Sequence, residues 1–304
     1  MKLRIGTRGS PLALAQARET RDRLVSAHGF DSDEIEICVI TTTGDRVHDR
    51  PLAEIGGKGL FTREIEEALL DGSIDLAVHS MKDMPATLPE GLSFAAILPR
   101  EDPRDAFISL QHASLADLPR QAVLGSSSVR RTAQALRHRR DLQTVQFRGN
   151  VETRLRKLQE GVADATFLAC AGLNRLGLSH HITSVIPVDV MLPAVAQGAV
   201  AIEIASHNDS LKHILDRINH VPSAATVACE RAFLSALDGS CRTPLAGHAV
   251  LTDDTLTFKG EALTPDGVHV FTAERNGSSA DAAKMGRDAG HEVKANGGSL
   301  IAFA

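Results

Sequence analysis

Ile74-Asp75-Leu76-Ala77-Val78-His79-Ser80-Met81-Lys82-Asp83-Met84-Pro85 decides the fold. A short apolar run, Leu76 to Val78, passes straight into a polar cluster stopped by a proline. In an open α/β sheet, ligands sit just beyond the carboxyl ends of the strands. The segment therefore delivers His79, Ser80, Lys82 and Asp83 together to the place where such folds do chemistry. A carboxylate beside a lysine suits proton donation and stabilisation of a cation. Taken alone, the segment also reads as a surface turn with a solvated ion pair. The rest of the chain decides between the two.

The same strand-then-helix order extends in both directions. Upstream, a strand at 3–7 leads into a helix at 11–27, capped by Ser10 and started by Pro11. A strand at 35–42 and a helix at 61–70 follow, the helix carrying Phe61, Ile65, Ala68 and Leu69 on one face. Between Thr41 and Gly59 runs a long polar stretch, which predicts a mobile flap over about 43–57. Downstream, Glu101-Asp102-Pro103-Arg104-Asp105 is charged and proline-broken, as a crossing between domains would be. Strands at 122–125, 143–147 and 165–170 then alternate with helices, and a strand at 199–205 returns to the first set. From about 222 the pattern changes to a helix at 224–237, alternating strands near 246–251, 255–262 and 268–274, and a closing helix near 279–296. The expected class is α/β. A first lobe spans 1–98 plus 199–219 and a second spans 103–195. Residues 222–304 form a small α+β domain with a three-stranded antiparallel sheet. Two lobes joined by two crossings make a hinged cleft.

A chain of 304 residues is too long for one ordinary core, in keeping with several domains. Apolar content of 43% and charged content of 23% are those of a globular protein. No run of about 18 apolar residues indicates a membrane span. The N-terminus carries no apolar signal region, so a cytoplasmic enzyme is expected. A net charge of −5 gives no global attraction to nucleic acid. Trp and Tyr are absent, which removes the stacking platforms of single-strand binders.

Cys38, Cys170, Cys229 and Cys241 form no CxxC pair, so neither a zinc site nor a redox motif is indicated. Cys38 and Cys170 lie in apolar strand patterns and Cys229 on a helical one; all three read as small buried hydrophobes. Cys241 lies in Asp238-Gly239-Ser240-Cys241-Arg242-Thr243-Pro244, where a neighbouring arginine can lower a thiol pKa.

One device recurs. A strand ends, a turn of small residues follows, and an arginine sits near the start of a helix. It appears as Thr7-Arg8-Gly9-Ser10, Ser126-Ser127-Ser128-Val129-Arg130-Arg131 and Arg148-Gly149-Asn150, with Arg154 and Arg175 nearby. Helix N-termini attract anions, and arginine adds permanently charged, bidentate donors. A single arginine of this kind reads as a solvated surface residue; repetition at strand ends points to a polyanionic ligand. Gly56-Gly57-Lys58-Gly59 is not a P-loop, because Leu52 and Gly59 stand where the motif needs glycine and Ser/Thr. No GxGxxG follows a strand, and there is no GxSxG elbow. His180-His181 has no carboxylate or cysteine at ligand spacing and reads as loop surface, so no metal is expected.

Gly6-Thr7-Arg8-Gly9-Ser10-Pro11-Leu12-Ala13-Leu14-Ala15-Gln16, Gly56-Gly57-Lys58-Gly59-Leu60-Phe61 and Ala77-Val78-His79-Ser80-Met81-Lys82-Asp83 closely resemble the porphobilinogen deaminase (hydroxymethylbilane synthase) family of tetrapyrrole biosynthesis. So do Gly125 to Arg131, Arg148-Gly149-Asn150-Val151, Leu173-Asn174-Arg175-Leu176-Gly177 and Gly239-Ser240-Cys241, in order and spacing over nearly the whole chain. The resemblance implies three domains, the first two like periplasmic binding proteins. It implies head-to-tail joining of four porphobilinogen units with release of ammonia, then hydrolytic release of linear hydroxymethylbilane. It implies a covalent dipyrromethane cofactor on Cys241 through a thioether, with Ser80, Lys82, Asp83, Ser126, Ser128, Arg130 and Arg131 holding it. Asp83 is the implied catalytic residue. Arg8, Ser10, Gln16, Phe61, Arg148, Arg154, Arg175 and Gln197 are the implied substrate-binding set for the acetates and propionates of the growing polypyrrole. The protein is expected to be monomeric, with no nucleic-acid or membrane partner. Two positions depart from the family: Glu54 stands where some members carry lysine, and Ala196 replaces a glycine common before the matching glutamine. The rival reading is a non-catalytic binding module with the same lobes, which has no use for Asp83 or for a loop thiol on a third domain.

Overall fold

Short apolar strands buried on both faces, with helices on either side, carry the site-bearing segments. The computed structural model describes residues 2–46, 61–239 and 243–301. The chain divides into two units, Met1–Glu101 with Ala199–Ala224, and Asp102–Gly198 with Ala225–Ala304.

The first unit holds a sheet of β1 (Leu3–Thr7), β2 (Ile35–Val39), β3 (Leu76–Ser80), β4 (Leu92–Ile97) and the later β10 (Val200–Ala205), in the order β2-β1-β3-β10-β4. β1 runs parallel to β2 and β3, while β10 is antiparallel to β3 and β4. β3 alternates as a two-sided strand must. Leu76 and Val78 join a core with Ile5, Ala17, Leu24 and Ile202. Ala77 joins Ile65, Leu69 and Ile74 on the opposite face. Helix α1 (Pro11–His28) covers the first face; Ser10 accepts from the Ala13 N–H at 3.3 Å, and Gly29 at φ +70 ends the helix. Leu76 is completely buried, worth roughly 1.5–3 kcal/mol relative to exposure. A four-residue helix, α2 (Thr43–Arg46), precedes α3 (Arg63–Leu70), which covers the second face.

The second unit has a sheet of β5 (Asp105–Ile108), β6 (Val123–Gly125), β7 (Gln143–Val145), β8 (Ala165–Ala169) and β9 (Ser184–Val185), ordered β7-β6-β8-β5-β9. Helices α4 (Val129–His138), α5 (Val151–Gln159) and α6 (Cys170–Arg175) follow β6, β7 and β8. After α7 (Asp209–Asp216) and α8 (Val221–Ala236), the chain forms the antiparallel sheet β11 (Leu245–Thr252), β12 (Thr255–Leu263), β13 (Val270–Ser278), closed by α9 (Ala282–Gly297). The turn after β12 reaches α4: a Cβ at Gly267 (φ +71) would stand 2.2 Å from the Ala133 carbonyl oxygen.

The α/β class, the return of the 199–205 segment to the first sheet and the three-stranded antiparallel sheet agree with expectation. Several elements differ: β9 and α7 were not expected, and the strand expected over 35–42 ends at Val39. The strand expected over 165–170 ends at Ala169, and Cys170 opens α6 rather than lying in a strand, although it is 1% exposed. β5 went unseen because its first residue, Asp105, is the charged last residue of the segment read as a crossing. β4 went unseen, its alanines giving little strand signal. The flap expectation falls largely on 47–60, outside the described residues, with Thr43–Arg46 helical just before it.

Candidate functional site

The register Ile5↔Leu76 and Gly6↔Ala77 brings the carboxyl ends of β1 and β3 out at one edge of the first sheet. Two devices fix the end of β3. His79 and Glu203, both buried, share a 3.0 Å hydrogen bond toward the α3 face. Ser80 and Gln16 of α1 share one of 2.8 Å on the other. A single tight turn, Met81–Asp83, follows. The Met81 N–H donates to the Ala199 oxygen at 3.0 Å, and the Met84 N–H closes the turn onto the Met81 oxygen at 3.2 Å. The Met81 and Met84 side chains are 2% and 4% exposed and act as two buried pins. Between them Lys82 is half-buried and Asp83 exposed, and no side-chain partner of Asp83 exists among the described residues.

At the neighbouring strand end, Arg8 donates from Nε to Asp45 at 3.1 Å and from Nη2 to the same carboxylate. Its guanidinium lies 4.1 Å from the Phe61 ring centroid, a cation–π stack. Asp45 also accepts from the Thr42 N–H and hydroxyl. Burial alone would raise the Asp45 pKa; the Arg8 and Thr42 donors outweigh it and hold the carboxyl below its usual range. Ser10 is engaged as the cap of α1. Beneath this edge, Glu66 and Glu203 are buried, each with an Oε1 that has no partner among the described residues. Burial, then the nearby Glu203 carboxylate, push the Glu66 pKa up.

In the second unit, Ser128 caps α4 by accepting from the Arg131 N–H, and Ser126 accepts from the Ser128 N–H at 3.2 Å. The following arginines turn inward onto Asp105, which is 0% exposed. Arg130 Nη2 and Arg131 Nη2 each donate to it at 2.7 Å, Arg131 Nε at 3.1 Å and Gln197 Nε2 at 3.0 Å. Arg130 Nη1 also reaches the Leu192 oxygen and Arg131 Nη1 the Phe167 oxygen. Desolvation would raise the Asp105 pKa; the two guanidiniums overcome it and hold the carboxyl well below the usual range. Arg148, Arg154 and Arg175 are only half-buried, with Arg154 Nε on the Gly149 oxygen and Arg175 Nη1 on the Gly198 oxygen. The expected arginines thus fall into a buried pair and a more open trio. Ala196 adopts φ +59, the left-handed region that favours glycine.

Burial pushes the Cys170 and Cys229 thiols up to about 12, so neither is a nucleophile near neutral pH. Ser240, Cys241 and Arg242 lie outside the described residues, as do Glu54 and Gly56 to Gly59. Sequence reasoning missed Asp45, Glu66, Asp105 and Glu203. The one available signal was a carboxylate embedded in an apolar run, Asp105 before Ala106-Phe107-Ile108 and Glu203 within Val200 to Ala205. Among the described residues no helix is long and apolar enough to cross a membrane.

Residues 3–213 match the family model "Porphobilinogen deaminase, dipyromethane cofactor binding domain", and residues 224–295 match "Porphobilinogen deaminase, C-terminal domain". The chain is 59% identical over 292 residues to porphobilinogen deaminase of Paracoccus denitrificans, covering 96% of this chain and 93% of that one. It is 55% identical over 301 residues to the chloroplastic porphobilinogen deaminase of Oryza sativa subsp. japonica, covering 97% and 84%. Among solved structures, a periplasmic substrate-binding protein of an ABC transporter from Coxiella burnetii is similar at TM-score 0.42 and 15% identity, over 75% of this chain and 96% of that one. Two family models that together span nearly all the described residues, and relatives above 50% identity along almost the full length, place the chain in the porphobilinogen deaminase family.

Proposed function

We propose a division of labour for the porphobilinogen deaminase reaction among this chain's residues. Asp83 is the acid–base and charge-stabilising carboxylate. The observation that carries this is a carboxylate exposed at a strand end, free of side-chain partners among the described residues, on a turn pinned by buried Met81 and Met84. In each addition the C–N bond of porphobilinogen breaks and ammonia leaves with the electron pair. The methylene carbon becomes an electrophilic azafulvenium, a new C–C bond forms to a pyrrole α-carbon, and that carbon loses its proton. A rigidly held carboxylate stabilises the cation as it develops and can carry the proton. Lys82 beside it and Arg8 at the next strand end favour a substrate bearing carboxylates.

The donor set of the second unit fits a dipyrromethane group. Its pyrroles bear carboxylates, and here stand Ser128, the cap of α4, with Ser126 hydrogen-bonded beside it, and a buried arginine pair in which Arg130 Nε has no partner among the described residues. Ser126, Ser128, Arg130 and Arg131 would hold that group, Cys241 would bond it, and Ser80 and Lys82 would contribute. When bound, it supplies the primer carbon on which the chain grows. Arg148, Arg154 and Arg175, half-buried with donors near the surface, are assigned to carboxylates of the elongating chain, with Ser10, Gln16, Phe61 and Gln197 lining or bracing the path. Gln16 acts through Ser80, and Gln197 through Asp105. We assign the catalytic work to a hinged pair of lobes spanning 1–98 plus 199–219 and 103–195, with 222–304 carrying Cys241, in a cytoplasmic monomer. Cell fractionation and solution mass test the last two assignments.

The experiment is Asp83→Ala, read as ammonia released per porphobilinogen consumed. Loss of turnover with an unchanged melting temperature is expected. Wild-type turnover would remove Asp83 from the chemistry.

A further inference from the structure

Among the arginine–aspartate pairings of the described residues, two are of opposite character. Asp105 and its two arginines are 0–7% exposed, so their pairing is permanent. Arg8 and Asp45 are 26% and 24% exposed, within reach of a dissolved anion. Asp45 takes the Nε–Nη2 edge of Arg8, the fork that fits any carboxylate bidentately. The guanidinium face rests on Phe61, which is itself fitted against the Gly44 backbone: a Cβ there would stand 2.2 Å from a Phe61 ring carbon. Thr42 holds Asp45 from one side, and Thr43 ties α2 to Glu64 of α3 at 2.8 Å. The carboxylate on Arg8 is thus supplied by the chain at a fixed place, in a pair weak enough to exchange.

We propose that Asp45 is an internal competitor for Arg8: it occupies the guanidinium edge that an acetate or propionate side chain of the pyrrole substrate requires, and so makes that contact exchangeable. The inference rests on the reading that Arg8 binds a substrate carboxylate. Trading one carboxylate for another conserves the number of charge-assisted hydrogen bonds. An enzyme that lengthens an anionic chain stepwise needs such contacts to release as readily as they form. Asp45 therefore sets how tightly Arg8 grips, and Asp45 is a specificity-determining residue rather than a catalytic one.

The test compares the intact holoenzyme with Asp45→Asn and Arg8→Gln, measuring KM and kcat for porphobilinogen, the population of enzyme-bound intermediates by native mass spectrometry, and the melting temperature. Asp45→Asn keeps the acceptor for Thr42 and removes the competing charge. It is expected to lower KM about two- to fivefold, the scale of a partly screened ion pair, while kcat falls and bound intermediates accumulate. Arg8→Gln is expected to raise KM. Raised KM in Arg8→Gln with unchanged or raised KM in Asp45→Asn overturns the competition and leaves Arg8 as a substrate ligand. A lowered melting temperature with raised KM in Asp45→Asn makes Asp45 a structural brace and overturns it likewise. Unchanged KM and intermediates in Arg8→Gln remove the parent reading and the inference with it.

Discussion

Replacing Asp105 by asparagine should be the most damaging conservative substitution in the second unit. The carboxylate is 0% exposed and receives three guanidinium hydrogen bonds, at 2.7, 2.7 and 3.1 Å, and one from Gln197 at 3.0 Å. Asparagine preserves the shape and one acceptor oxygen but removes the charge that compensates two guanidiniums of 5% and 7% exposure. Breaking a buried pair from one side costs about 3–5 kcal/mol. With one acceptor left, the lower end applies, about 3 kcal/mol, or roughly 6–12 °C in Tm for a unit of this size. Scanning calorimetry of the holoenzyme reads it, with Glu160→Gln as control, because the Arg156–Glu160 pair is 67% and 56% exposed and should cost no more than about 0.5 kcal/mol. The acid response has a definite sign. The folded pKa of Asp105 is depressed, so its stabilisation is complete above the unfolded value of about 3.9 and is lost as pH falls through the folded value. The gap between wild type and variant should be the same at pH 7 and pH 5 and shrink only below about pH 4. A Tm within about 2 °C of wild type at pH 7 would mean that the guanidiniums do not depend on the Asp105 charge.

Asp83→Asn should leave Tm within the scatter of surface substitutions, about 0.5 kcal/mol, and lower kcat by orders of magnitude; equal losses of both would mean that the turn, not the carboxylate, matters. Glu66 is buried with a raised pKa, so its neutral form stabilises the fold below the unfolded value of about 4.3, and that contribution is lost as pH rises through the folded value. Urea titrations of Glu66→Gln between pH 5 and 9 should accordingly show a flatter stability profile than wild type, and parallel profiles would contradict the assignment. Gly286→Ala should destabilise by at least about 2 kcal/mol, because its Cβ would stand 2.0 Å from the Cys229 carbonyl oxygen where α9 crosses α8; a neutral result in thermal unfolding would mean that the helices separate freely.

The fold was legible wherever one periodicity ran unbroken. Helix α1 was expected at 11–27 and found at Pro11–His28, because Ser10, Pro11 and Gly29 mark both ends chemically. The β3 segment was legible for the same reason, an apolar run closed by a polar turn and Pro85. β4 and β5 were not, because alanines and a leading aspartate hide a buried strand from composition. Of the exposed or half-exposed candidates, Asp83, Arg8 and Arg148 could be picked out just after strand ends, and Arg154 and Arg175 in the helices that follow. Their counter-ions could not: Asp45 meets Arg8 across 37 positions, and Asp105 meets Arg130 and Arg131 across 25 and 26, distances at which sequence carries no pairing signal. The split of the arginines into a buried pair and an open trio is accordingly a result of tertiary packing. So is the left-handed turn at Ala196, whose side chain gives no hint of φ +59.

We propose that this chain carries a dipyrromethane primer on Cys241. Intact mass of the protein purified from cells that make porphobilinogen, set beside its Cys241→Ser variant, tests it most directly. A mass excess of two linked pyrrole units is expected in the wild type alone. A bare polypeptide mass in both proteins, or the same excess in both, would contradict it.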